Sequence, residues 1–312
     1  MSRLTFTRQL ELSSVTGENL NINMFLEQKP LREQQKCKTL TKYIEKYPSG
    51  WKKRLELANL LYEKGEWTEA IEQYLIVIER QPQLIAVRLK LGKIWHLLGK
   101  TQKAIEIYKS CLNWIEDLQL SHGLTVNVTS SHKANKFHIL GLIDLCQENY
   151  SQAIKHFSCA AVFAPENCSH WLALGRVYQQ NKQYLQALKA FDAILSRQPN
   201  DLIALLNIYD VLIILSQLEI ELPSDICHRH GDMTAMTDKE FWLMIAEEKL
   251  NQAIQLGGHS YPVLYRQVSH RCLKKQVLGA EGKKTKKLLK LLIKIAPEAK
   301  KTQQIKEKLQ KL

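Results

Sequence analysis

The chain predicts an all-α fold, a solenoid of stacked helix–turn–helix repeats closed by a helical C-terminal cap. Three features of its 312 residues point there. Small and apolar residues recur with a period of 34 residues, the length of one helical hairpin with its turns. Prolines stand one period apart at Pro48 and Pro82, and again at Pro165 and Pro199. Each marks a helix stop, because proline lacks the amide hydrogen and clashes with the preceding turn. No convincing series of alternating strands interrupts these patterns.

Residues 1–50 read as an N-terminal segment and a degenerate capping repeat. Up to Asn23 the chain is polar and weakly periodic. Met24, Phe25 and Leu26 then begin a short helix that Pro30 breaks. Over 31–47, Leu40, Tyr43 and Ile44 form the apolar stripe of a helix that caps the open end of the stack.

Four full repeats follow at 51–84, 85–118, 134–167 and 168–201. A small residue recurs at Ala70, Ala104, Ala153 and Ala187, with an aromatic four residues later at Tyr74, Tyr108, Phe157 and Phe191. A leucine–small pair recurs at Leu57-Ala58, Leu91-Gly92, Leu140-Gly141 and Leu174-Gly175. The small residues let two helices approach closely, and the aromatics fill the space left between them. Between the second and third repeats, 119–133 reads as an inserted loop rich in Ser, Thr and Gly, following a lengthened helix through Trp114 and Ile115.

Residues 202–256 read as a degenerate, interrupted repeat. LIALLNIYDVLIILSQLEI is apolar nearly all round and predicts a helix buried on more than one face. An irregular insertion over 219–238 separates it from a helix at 239–255, which ends at Gly257-Gly258. Residues 257–312 read as a basic helical C-terminal cap, with helices at 262–277 and 282–295 and a final polar helix over 298–312.

The fourth repeat carries W-x2-L-G-x2-Y, A-x3-F and P as Trp171, Leu174, Gly175, Tyr178, Ala187, Phe191 and Pro199. On those residues the chain resembles the tetratricopeptide-repeat (TPR) family. The resemblance implies a right-handed α-solenoid whose first helices line a concave groove that binds another chain. By the family's groove positions, the candidates are Lys52, Leu55, Asn59 and Tyr62 in repeat one, and Leu89, Lys93 and His96 in repeat two. Repeat three gives Asn135, His138, Leu142 and Leu145, and repeat four gives Leu172, Arg176 and Gln179. Chaperone-binding members use a clamp of Lys and Asn side chains for a terminal carboxylate. Here Asn59 is in place, but Leu55 stands where a Lys is expected, and Asn135 and Ile139 replace later cations. Chaperone binding is therefore not carried over. A groove of leucines with a few cations suits an extended or helical peptide with some acidic residues. Trp171, Tyr178 and Phe191 are expected in the core, not in an aromatic ligand box.

Composition fits a folded helical chain. Hydrophobic residues make up 45%, and no apolar run approaches the ~20 residues of a membrane span. The N-terminus lacks a continuous apolar run before a small-residue cleavage site, so no secretory signal is expected. Seven cysteines without C-x-x-C spacing favour a reducing cytoplasm over a disulfide framework, and the sequons at Asn127 and Asn167 then carry no weight.

Net charge is +13, and +11 of it falls between Arg271 and Leu312. GKKTKKLLKLLIKIAP puts Leu288, Leu289, Leu292 and Ile293 on one helix face, with Lys283, Lys284, Lys286, Lys287 and Lys290 elsewhere. These lysines solvate a capping helix or meet an anionic partner: an acidic protein, nucleic acid or a membrane surface.

No catalytic residues, cofactor, metal or small-molecule substrate are predicted. A glycine-rich phosphate loop, a G-x-S-x-G elbow and an H-E-x-x-H pair are all missing from the sequence. Cys227, His228, His230 and Asp232, with His259, His270 and Cys272, are the densest set of possible zinc ligands. Their spacing matches no familiar zinc pairing, so they read as a polar loop. The expected function is a non-catalytic scaffold binding a protein or peptide. Two alternatives stand beside it. One is a substrate-recruiting subunit of a glycosyltransferase- or methyltransferase-type complex without its catalytic domain. The other is a binder of an anionic polymer or surface through the C-terminal lysines.

Overall fold

The computed structural model describes residues 35–64, 66–121, 130–218, 220, 237–257, 260–274, 279–295, 303–305 and 307. Every regular element among them is a helix. A first helix, α1, covers 35–46. Then come α2 (Trp51–Lys64), α3 (Trp67–Arg80), α4 (Ile85–Leu97), α5 (Thr101–Ser121), α6 (Ser130–Cys146), α7 (Tyr150–Phe163), α8 (Cys168–Gln180) and α9 (Tyr184–Leu195). The series ends with α10 (Leu202–Gln217), α11 (Asp238–Gly257), α12 (Tyr261–Leu273) and α13 (Gly279–Ile295). The fold is an all-α solenoid of helix–turn–helix repeats. It divides into two compact units, Met1–Ile107 and Tyr108–Leu312.

The predicted loop at 119–133 is shorter at both ends, because α5 runs on to Ser121 and α6 begins at Ser130. Nothing breaks a helix before Gly123, and Ser130-Ser131 can open one. Residues 122–129, the N-terminal expectations over 1–34 and most of the 219–238 insertion lie outside the described residues.

In the first unit, Leu40 and Ile44 of α1 join Leu57, Ala58, Leu61, Ala70, Tyr74, Val77, Leu91 and Ile94 in one core. Ala58, Ala70 and Tyr74 are fully buried. In the second unit, Phe157 and Phe191 are likewise fully buried, and so is Ala187. An ideal Cβ on Gly175 would sit 2.4 Å from Cε1 of Phe191, and one on Gly141 would sit 2.9 Å from Phe157. The missing side chains of the first helices are the space that the aromatic rings of the second helices occupy.

The turns inside the hairpins repeat as well. Lys100, Asn149 and Gln183 each donate a backbone hydrogen bond to the carbonyl five residues earlier, at Trp95, Asp144 and Tyr178. The residue before each lies in the left-handed region: Gly99 at φ 72°, Glu148 at 60° and Lys182 at 59°. This is a Schellman-type helix stop, and it recurs one period apart at Glu148 and Lys182.

Trp171 is half-buried. Its Nε1 donates to the carbonyl of Pro165 at 2.8 Å, and the Arg197 guanidinium lies over its ring at 5.4 Å. It therefore ties its helix to the proline turn that ends the preceding repeat.

The apolar helix α10 buries Leu205, Leu206, Ile208, Tyr209, Val211, Leu212 and Leu215, as an all-round apolar sequence requires. It packs on α11, whose Trp242 is fully buried and donates from Nε1 to the carbonyl of Ile220 at 2.9 Å. Thr237 and Glu240 open α11 with a reciprocal capping box: Glu240 N–H donates to Thr237 Oγ1, and Thr237 N–H donates to Glu240 Oε2. Arg266 of α12 grips both carboxylate oxygens of Asp210 on α10, a paired geometry specific to guanidinium.

Gly175→Ala forces the fully buried Phe191 ring to shift and should cost about 1–3 kcal/mol by overpacking. Gly141→Ala, with half an ångström more room, should cost less. Urea midpoints of the two variants check this order. Equal midpoints, or a midpoint unchanged for Gly175→Ala, would contradict the packing described.

Candidate protein-binding face

The first helices of the hairpins supply the candidate residues. In the first unit these are α2 and α4. Asn59 accepts through Oδ1 from the Tyr74 hydroxyl at 2.8 Å and from Lys90 Nζ at 2.7 Å. Three turns of helix are therefore pinned at one amide. Tyr62, one turn further along α2, has the Lys93 ammonium 5.9 Å from its ring centroid. Asn59, Tyr62 and Lys93 thus come together on adjacent helices, with Lys90 as a fourth member. Lys52 is exposed and lies over the Trp51 ring at 5.6 Å, and His96 is half-buried in the last turn of α4.

Helix α4 carries Arg88, Lys90 and Lys93 and no acidic residue, and α8 carries Arg176 and none, although the first helix α2 also carries Glu56 and Glu63. The second helix of repeat one, α3, carries Glu69, Glu72 and Glu79 against Arg80.

In the second unit the candidates are His138 on α6 and Arg176 and Gln179 on α8. Arg176 is exposed and Gln179 half-buried. Their i,i+3 spacing puts them on one helix face. His138 has a different setting. Its Nδ1 is 3.0 Å from Nδ1 of the buried His170, and its ring meets Phe157 edge-on at 5.2 Å. Asn167 fixes the proton order. Its Oδ1 accepts from Ser169 N–H as the cap of α8, so its Nδ2–H points to His170 Nε2 at 3.1 Å. His170 Nε2 is then an acceptor, and its Nδ1–H donates to His138. Burial holds His138 down to about 3, with His170 adding to the effect. Burial also lowers His170. The pair is a neutral, ordered contact between α6 and α8.

A third histidine, His270, is buried against the Tyr209 ring, with Glu247 Oε2 at 4.0 Å. Burial lowers its pKa first, Glu247 opposes the shift, and Lys274 adds to it.

Of the possible zinc ligands, Cys227, His228, His230, Asp232 and His259 lie outside the described residues. Among the described residues no cluster of three or more His, Cys, Asp or Glu side chains could hold a metal ion. No described helix is long and apolar enough to cross a membrane.

Residues 43–112 and 140–202 match the family model of the tetratricopeptide repeat. The chain carries tetratricopeptide repeats. Its TPR hairpins are similar to a segment of Superkiller protein 3 of Schizosaccharomyces pombe, 36% identical over 62 residues, which is 20% of this chain and 4% of that protein. Among solved structures, the Cut9–Hcn1 hetero-tetramer of the APC/C contains a similar fold, with a TM-score of 0.50 and 12% identity over 96% of this chain and 51% of the other. A tetratricopeptide repeat protein from Parabacteroides merdae matches over 88% of this chain and 90% of its own, at 14% identity and a TM-score of 0.49. The chain thus spans 4% of the length of the curated relative and about half of the Cut9–Hcn1 chain.

The histidine pKa values set the pH response. A histidine held below its ordinary 6.5 binds more protons unfolded than folded. Its stabilising contribution is complete above pH 6.5 and is lost as pH falls through that value toward the folded pKa. Between pH 7.5 and 5.5, His138 alone should remove about 1.4 kcal/mol of stability. Urea unfolding at the two pH values measures the loss. His138→Phe/His170→Phe should reduce it, leaving the part due to His270, and an undiminished slope in that double variant would contradict the pairing.

Proposed function

We propose that the chain is a non-catalytic scaffold whose first-helix face holds a segment of another protein, acidic and partly apolar in character. The observation that carries this reading is the cluster of Asn59, Tyr62, Lys90 and Lys93 on α2 and α4. It offers two ammonium groups, an amide and an aromatic ring on adjacent first helices, and α4 has no carboxylate to oppose them. Lys52 and His96 add to this chemistry within the first unit, and Arg176 and Gln179 supply similar chemistry on α8 of the second. Acidic side chains would meet the cations, and leucines such as Leu55 and Leu89 would take apolar ones. Electrostatic complementarity of this kind speeds association and selects among partners more than it tightens binding. Cys111 and Cys146 are packed as buried apolar filler, which suits a reducing, cytoplasmic setting.

Peptides selected on the intact chain from a random display library test the reading. They should be rich in Asp and Glu with interspersed apolar residues. Lys93→Glu/Arg176→Glu should weaken them at least tenfold, about 1.4 kcal/mol, without shifting the melting temperature. Selected peptides that bind the double variant as tightly as the wild type would refute it.

A further inference from the structure

Helix α13 presents a second surface, built differently from the first-helix face. Its inward side is spent on packing. Leu292 is fully buried in a cluster with Leu264, Val268 and Ile305, against which Leu288, Leu289 and Leu291 also pack. Thr285, also buried, accepts from Arg271 Nε at 2.8 Å. The outward side carries Lys283, Lys286, Lys287 and Lys290, all exposed, with Lys284 exposed beside them. Spacings of i, i+3, i+4 and i+7 make the four a single stripe, about 10 Å long at 1.5 Å per residue.

We propose that this stripe is a docking surface for the phosphate backbone of double-stranded nucleic acid, bound without sequence preference. Charge complementarity argues for a polyanion, and the rest of the helix narrows its class. Helix α13 contains no Arg, Asn or Gln to add bidentate base-edge contacts, and an exposed lysine ammonium meets a phosphate as a compact point charge. No aromatic residue follows Tyr265, so a platform on which single-stranded bases could stack is lacking there. Lysine is depleted at the cores of protein interfaces, and among the described side chains of α13 no large apolar one is exposed. An acidic protein would therefore find charge but no apolar anchor. Stable attachment to a membrane needs a lipid or apolar insertion beside basic residues, and the leucines of α13 are committed inward. Phosphates need only the lysines. A row of about 10 Å matches the ~12 Å major groove, whose two edges are lined by phosphates.

The test uses the full chain and a variant with Lys283, Lys286, Lys287 and Lys290 all replaced by Gln, with an all-Arg replacement as charge-retaining control. Binding to a short duplex is measured over a range of salt, beside the same single strand, phosphatidylserine vesicles and polyglutamate. The wild type should bind the duplex with a steep salt dependence. The Gln variant should lose at least tenfold in affinity at low salt, with the log–log slope reduced by about 3 to 4, as expected for four released phosphate contacts. The Arg variant should retain binding, which separates lost charge from lost fold. Equal duplex binding by wild type and Gln variant would overturn the proposal. So would a lysine-dependent preference for vesicles, polyglutamate or the single strand over the duplex. Acidic-peptide binding at the first-helix face is read in the same samples, and it should not change.

Discussion

The fold depends on one steric constraint, the absence of a side chain where an aromatic ring must go. At Gly175 a single added carbon would lie 2.4 Å from the Phe191 ring. The helices of that hairpin can approach only because the carbon is missing, and the ring fills the gap only because they approach. Ala187 and Ala153, fully buried, apply the same rule from the second helices. With the approach fixed, the hairpin turns have little freedom. They close with the same five-residue backbone bond each time, even where the left-handed residue is Glu148 or Lys182 and not glycine. A non-glycine residue there is strained by about 1 kcal/mol or more, so packing overrides local preference at those positions.

Polar ties act inside this apolar frame. The Asp210–Arg266 pair joins α10 to α12, and the Asn167–His170–His138 chain joins α8 to α6. The second is the more conditional. It depends on an amide oriented by its capping bond and on two rings staying neutral. It is a hydrogen-bonded contact near neutral pH and a buried charge problem in acid.

The periodic small and aromatic positions were legible because they repeat, and the helices built on them follow. The apolar α10 was equally legible from its unbroken hydrophobic run. Lys90 was not, because the family's groove positions skip it. Its i,i+3 relation to Lys93, which puts both on one face of α4, was the available signal. The histidine pair was hidden for another reason. His138 occupies a groove position, and only the turn chemistry at Asn167 brings His170 to it. Sequence gives residue types on a helix but not which neighbour has already engaged a nitrogen. The length of α5 was missed because Ser and Gln weaken a helix without ending it.

The proposed binding role rests on the cations of α4 and α8, helices that carry no carboxylate. The steric rule decides which face of each hairpin packs, and the remaining first-helix residues are free to differ in chemistry. Site-specific photocrosslinking tests that role most directly. A benzophenone side chain placed at Tyr62 or Gln179, on first helices, should capture a bound acidic peptide. The same group at Leu75 or Val162, both exposed on second helices, should not. Capture at Leu75 or Val162 with none at Tyr62 and Gln179 would place the partner on the opposite face and contradict the account.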